Sequence, residues 1–311
     1  DPNPGLTVVE IVHAIHNDEI RGMYIMGENP AMSDPDANHA RDALAKLEHL
    51  VVQDIFLTET AMFADVILPA TAWPEKDGTV SNTNRQVQMG RKALDAPGDA
   101  KPDWWIAVEM GKRMGLKWTY KNPADVFAEM KQAMPSLDNI TWDRLENEHS
   151  VTYPCPAPNH PGEDIVFADR FATDDGLGKF VPAQVTPPNE QPDRKYPFIL
   201  ITGRQLEHWH TGAMTRRSYV LDQVQPSPTV QMNTLDISRF GIEPGDRVKV
   251  ATRRGEIEIA VRADNMVSPG TIFIPFAYVE AAANELTNPQ LDPIGKIPEF
   301  KYCAARVEPM Q

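Results

Sequence analysis

Cysteine is almost absent from this 311-residue chain, which has only Cys155 and Cys303. Two thiolates so far apart build neither an Fe–S cluster nor a cysteine zinc site, and so few thiols suit a reducing, cytoplasmic compartment. Net positive charge is lacking too: 44 acidic residues against 30 Lys and Arg leave a formal charge of -14. No overall basic surface is available to neutralise a nucleic-acid backbone, although a local basic pocket for one phosphorylated ligand stays open. No apolar run reaches the length of a membrane span, and the first residues carry no signal-peptide pattern. HExxH, Walker and GxSxG patterns are missing, so the commonest signatures of zinc proteases, P-loop NTPases and α/β-hydrolases are absent. The glycines of "DDGLGKF", from Asp174, follow no strand and read as a loop. What is present is ordinary: 41% hydrophobic and 24% charged residues suit a globular protein long enough for two domains.

The patterning divides the chain in three. Over residues 1–146, strand-like and helix-like runs alternate. Val8, Ile11, Val12 and Ile15 recur at helical spacing, "MYIMG" is a short apolar run ending in glycine, and "DPDANHARDALAKLEHL" carries Ala43, Leu44, Leu47 and Leu50 on one face. "LVVQDIF" and "ADVILPA" read as further strands, and "DWWIAVEMGKRMG" as a helix with Trp104 and Trp105 in its core. That alternation predicts an α/β domain with a doubly wound parallel sheet. Residues 147–195 are proline-rich and polar, as linkers are, with "DIVFADRF" a short strand or turn within them. Residues 196–311 are dominated by short strand patterns, among them "FILITG", "DRVKVAT", "EIEIAVRA" and "GTIFIPF", which predict a small β-barrel.

In an open parallel sheet, ligands bind beyond the carboxyl ends of the strands. The loops expected there carry Asn29, Ser33, Gln53 and Asp54, then Asn82, Asn84 and Arg85. Amide, hydroxyl and carboxylate groups suit a nucleotide, and an Asp accepts both donors of a guanine edge. The same residue types also cap helices and shape turns. The barrel opens with "TGRQLEHWHTGAMTRR", a strand end crowded with long polar side chains. Its HxH pair, His208 and His210, lacks a third ligand for zinc, and Trp209 reads equally as a stacking or a packing residue.

"MYIMGENPAMSDPD", "VVQDIFLTETAMFADVILPATAWPEKDGTVSNTNRQVQ" and "KPDWWIAVEMGKRMG" resemble the molybdopterin oxidoreductase family, and within it the formate dehydrogenase catalytic subunits. "TGRQLEHWHTGAMTRR" and "NELTNPQLDPIGKIPEFKYCAARVE" resemble the dinucleotide-binding barrel, of double-psi type, that ends those subunits. The resemblance implies a bis-molybdopterin guanine dinucleotide carrying molybdenum or tungsten. It implies contacts to one dinucleotide from Asn29, Ser33, Gln53 and Ala70, with Asp103 reading its guanine. It further implies that Arg204, Gln205, His208 and His210 hold pterin and phosphate groups, and that Phe276, Asn284, Phe300 and Lys301 complete the barrel's contacts. No residue here matches the family's metal-ligating Cys or selenocysteine, and Asp1 replaces an initiator Met. The chain is therefore expected to be the C-terminal portion of a catalytic subunit, inactive alone. The preceding portion and partner subunits are expected to supply the Fe–S clusters, flavin and electron transfer. The implied reaction of the whole is reversible oxidation of formate to carbon dioxide. A nitrate-reductase-like branch on the same scaffold, and a metal-free nucleotide-binding or assembly module, are the alternatives.

Overall fold

The computed structural model describes residues 3–310. Its backbone opens with α1 (Val8–His16), β1 (Gly22–Met26), the short α2 (Pro30–Ser33), α3 (Ala37–Lys46), β2 (His49–Asp54) and β3 (Val66–Pro69). The three strands form one sheet in the order β1-β2-β3, with β1 and β2 parallel from Gly22 opposite His49 to Met26 opposite Gln53. Helix α1 begins where Thr7 and Glu10 close a reciprocal capping box. Helix α3 ends at Lys46, earlier than its apolar face suggested, because Leu47 is already extended and Leu50 belongs to β2.

Two compact units follow from the chain's internal contacts: Asp1–Ile67 with Thr186–Gln311, and Leu68–Val185. The second unit contains β4 (Gly78–Ser81), β5 (Gln86–Gly90), α4 (Asp103–Arg113), α5 (Pro123–Ala133), α6 (Trp142–Glu148) and β6 (Ser150–Thr152). Its strands form an antiparallel sheet, β4-β5-β6, over a small core of Val87, Phe127, Leu137, Ile140, Leu145 and Val151. "DIVFADRF" is a turn, with Phe167 at φ 58.

The first unit closes with a barrel. Its elements are β7 (Phe198–Gly203), α7 (Tyr219–Val224), β8 (Thr229–Met232), α8 (Thr234–Arg239), β9 (Arg247–Ala251), β10 (Glu256–Ala263), β11 (Thr271–Pro275) and β12 (Cys303–Pro309). Six strands close in the order β10-β8-β11-β7-β12-β9. The pairs β7/β11 and β8/β10 are parallel, and an antiparallel β8/β11 contact joins them. Alternation along β10 explains the closure: Ile257, Ile259 and Val261 point inward while Glu256, Glu258 and Arg262 face water. Leu200, Val230, Met232, Val248, Val250, Ile272 and Ile274 fill the interior at 0% exposure. Each such side chain contributes about 1.5–3 kcal/mol by leaving water, so the barrel is a rigid platform for the loops at its rim.

Candidate functional site

Beyond β1, Gly27 adopts φ 66, a left-handed turn that suits glycine, and its N–H donates to the Gln53 carbonyl at 2.9 Å. The turn delivers Asn29 into a buried position ahead of α2. There its Nδ2 donates to Glu59 at 2.7 Å, while its Oδ1 accepts from the Thr60 backbone at 3.1 Å and the Thr60 hydroxyl at 2.8 Å. Asn29 thus ties the loop after β1 to the loop after β2. Gln53 is fully buried at the end of β2 and accepts from the Tyr24 hydroxyl. Asp54 turns back on its own chain, accepting from the Ile55 N–H at 2.6 Å.

Ser33 closes α2, and its carbonyl accepts from Asn284 Nδ2 at 2.7 Å, beside Met32 whose carbonyl accepts from the same nitrogen at 3.1 Å. This joins the sheet segment to the barrel within one unit. Two buried acceptors at the junction have no protein donor: Asn284 Oδ1 and Asp34 Oδ2. Burial pushes the Asp34 carboxyl up to about 7. Sequence reasoning did not single out Asp34, because an Asp before a proline reads as a turn.

At the end of β7 the Thr202 hydroxyl donates to the Phe300 carbonyl at 2.8 Å, and the Lys301 ammonium donates to the Thr202 carbonyl. Lys301 also lies 5.4 Å from the centroid of the Phe276 ring. Desolvation, and then the neighbouring Arg204 charge, hold the Lys301 ammonium below the usual lysine value. Among the described residues neither cation is paired with a carboxylate. His210, in the left-handed region at φ 49, sets its ring 4.7 Å from Trp209 and 6.1 Å from Phe276. Trp209 is exposed rather than packed. The structure therefore brings Arg204, His210, Phe276, Phe300 and Lys301 to one end of the barrel.

The remaining residues of that loop are held differently. Gln205 donates to Glu207. His208 is buried, with Nε2 2.8 Å from the Gln225 carbonyl and its ring edge-on to Tyr278, while Nδ1 is buried without a partner. Gly212 stands at φ 75 where a Cβ would press on the Ala277 carbonyl, so no other residue fits that bend. Arg216 is spent inside the fold on Asp222 at 2.6 Å and Glu280 at 3.0 Å.

Ala70 and Asp103 lie in the second unit. Ala70 forms a parallel bridge with Lys101. Asp103 opens α4 and is ion-paired with Lys76, whose ammonium also donates to the Thr71 carbonyl at 2.9 Å. Lys76 holds the carboxylate in place, a role that no sequence spacing announced. Trp105 is exposed, contrary to the expectation of a core residue, since α4 buries Ile106, Val108 and Gly111 instead. Arg85 and the neighbouring amides do not sit in a loop of the parallel sheet. They form the β4–β5 hairpin turn, and the Arg85 guanidinium donates to the carbonyls of Tyr153, Glu163 and Asp164. Cys155 and Cys303 are both buried and free, and among the described residues no group of three His, Cys, Asp or Glu is arranged to hold a metal ion.

Residues 2–113 match the molybdopterin oxidoreductase family model, and residues 198–304 the molybdopterin dinucleotide binding domain. The F420-dependent formate dehydrogenase subunit alpha of Methanocaldococcus jannaschii is 46% identical over 310 residues, covering 99% of this chain and 46% of the relative. The assimilatory nitrate reductase catalytic subunit of Bacillus subtilis is 32% identical, covering 99% of this chain and 45% of its own length. The chain thus spans about half the length of the curated relatives it matches. Acetylene hydratase from Pelobacter acetylenicus superposes with a TM-score of 0.78 at 18% identity, over 96% of this chain and 46% of that one, which shows a shared fold.

Proposed function

From the premise that this chain belongs to the molybdopterin oxidoreductase family, we propose that it is the cofactor-holding portion of a molybdenum- or tungsten-dependent formate dehydrogenase. The observation that carries this is the Arg204–Lys301 pair, two neighbouring cations that pair with no carboxylate among the described residues, in a chain of net charge -14. Like charges placed together cost free energy unless an anion joins them. A pyrophosphate-linked, guanylated pterin supplies such an anion, and fork-shaped Arg and point-charge Lys both bind phosphate oxygens. Formate is favoured over nitrate by the higher identity to the formate dehydrogenase relative, 46% against 32%.

In this reading Arg204 and Lys301 neutralise phosphate, while the exposed His210 ring and half-buried Phe276 bracket a flat heterocycle. His208 Nε2 faces a carbonyl and so donates to it, while Nδ1 has no protein partner among the described residues. Asn29, Ser33 and Gln53 act largely through backbone placement, since the Asn29 side chain is already engaged within the protein. Asp103, positioned by Lys76, offers a carboxylate for a guanine edge, and Ala70 presents a strand end with only a methyl group in the way. When bound, the metal–pterin group supplies the two-electron oxidation of formate, and the protein supplies binding and electrostatics. The preceding portion of the subunit and Fe–S or flavin partner subunits would carry the electrons onward in the cytoplasm. Among the described residues no helix is long and apolar enough to cross a membrane.

Native mass spectrometry tests the assignment, using this chain expressed in a host that makes guanylated molybdopterin. A retained guanylated pterin is expected, with at least tenfold less of it in Arg204→Ala and Lys301→Ala. A chain that retains none, or variants that retain as much as the parent, would overturn it.

A further inference from the structure

Three of the eight histidines gather away from this site, where α1 meets α3. His13 and His16 are three residues apart on α1 and so share a face. His39 sits in the first turns of α3. The His16 and His39 rings stack with centroids 4.0 Å apart and planes 17° from parallel, and the His13 ring lies 5.4 Å from His39 at 51°. His16 Nε2 is 3.0 Å from the His39 carbonyl, so that nitrogen carries a proton and donates it. His39 Nε2 is buried with no partner. Beneath the rings, Val12 and Ile15 pack on Ala40 and Ala43.

We propose that the stacked His16 and His39 rings form an acid-labile latch holding α1 on α3, opened when His39 takes up a proton. Neutral imidazoles stack favourably, whereas two cationic rings at that separation repel, and a buried ring cation without an acceptor is disfavoured. The charged and titratable groups around the stack are His13 on α1, with Asp36, Asp42 and Lys46 from α3 and its cap. Asp36 and Asp42 favour protonation, but burial, reinforced by His16 and then His13, outweighs them and holds His39 below the ordinary histidine value of 6.5. A folded pKa below the unfolded one gives a contact at full strength above about pH 6.5 and weakened as pH falls beneath it. Glu10 of α1 is meanwhile paired with Lys296, at 3.0 Å, in the turn that Asp292 organises ahead of Phe300 and Lys301. Release of α1 would therefore loosen that turn as well.

Amide hydrogen exchange, expressed as protection factors to remove the intrinsic pH dependence, reads the latch directly. Between about pH 7.5 and about pH 5, protection across residues 8–16 is expected to fall about tenfold while β7 to β12 keep theirs. His39→Phe preserves a stacking ring without a titrating nitrogen, so its α1 should show no such fall. Unchanged α1 protection in the parent, or an equal fall in His39→Phe, overturns the proposal. Should that variant not fold, imidazole resonances of the parent decide: a depressed His39 titration accompanied by shifts in His16 supports the latch. Two rings titrating independently near 6.5 refute it.

Discussion

Lys301 and Arg204 matter because of what does not surround them. Elsewhere in this acidic chain cations are met by carboxylates, as Glu285 meets Arg41 at 2.6 Å and Glu190 meets Arg254 at 2.8 Å, whereas the exposed Arg204 and Lys301 pair with none among the described residues. Asp34 presents the mirror case, a buried acid with an unpartnered oxygen. Burial raises its carboxyl from the ordinary aspartate value of 3.8 to about 7. The stability it contributes is complete below that lower value and is lost as pH rises through about 7. Asp34→Asn should therefore gain stability relative to the parent between pH 6 and pH 8, roughly 1–3 kcal/mol at the upper end after discounting relaxation of the site. Urea melts at the two pH values check it, and a parent whose midpoint does not fall with pH in a way that the variant lacks would contradict it.

At the scale of elements, the barrel strands were legible because alternation has a period of two and each inward residue is apolar. The end of α3 was not. Leu47 and Leu50 continue the helical apolar spacing, but they belong to the cap and the next strand, where Leu47 is half-buried and Leu50 fully buried. Burial is satisfied by either conformation, so pattern alone placed the boundary too late. Asn82, Asn84 and Arg85 were misplaced for a related reason: the loop after β3 looked like a ligand loop, yet it pairs with β6, a strand more than sixty residues on. Gly203 marks a position where an added side chain must displace a neighbour, since a Cβ would run into the Phe273 ring on the paired strand β11. Gly203→Ala is expected to cost about 1–3 kcal/mol by overpacking and to shift Arg204, one residue on. A thermal melt indistinguishable from the parent would argue against that contact.

Across the whole molecule, the proline-rich stretch 147–195 ties into the barrel through acids, Asp193 on Arg253 at 2.5 Å and, more deeply buried, Glu190. Glu190, 8% exposed, receives Arg253 and Arg254 and accepts from the Ala304 N–H at 3.2 Å. This contact stitches the segment entering the barrel to the β9–β10 turn and to β12. Glu190→Ala leaves the Arg254 guanidinium, also largely buried, without its acid. Loss of one partner from such a pair costs about 3–5 kcal/mol, and denaturant unfolding should show it, with Glu190→Gln intermediate. At the same scale, a chain spanning about half of its relatives is expected to show no formate-dependent dye reduction alone, and robust turnover would contradict that.

By itself the sequence determined the architecture, because periodicity and turn residues are local properties that survive without coordinates, and its motifs carried the family resemblance. It also named Arg204 and Lys301, through motifs nearly a hundred residues apart. Only the tertiary structure decided that these two share one end of the barrel with no acid between them, that Lys76 holds Asp103, and that His16 and His39 stack. Such facts depend on which side chains long-range pairing brings within a few ångströms, and on how much water that pairing removes. A linear pattern records neither.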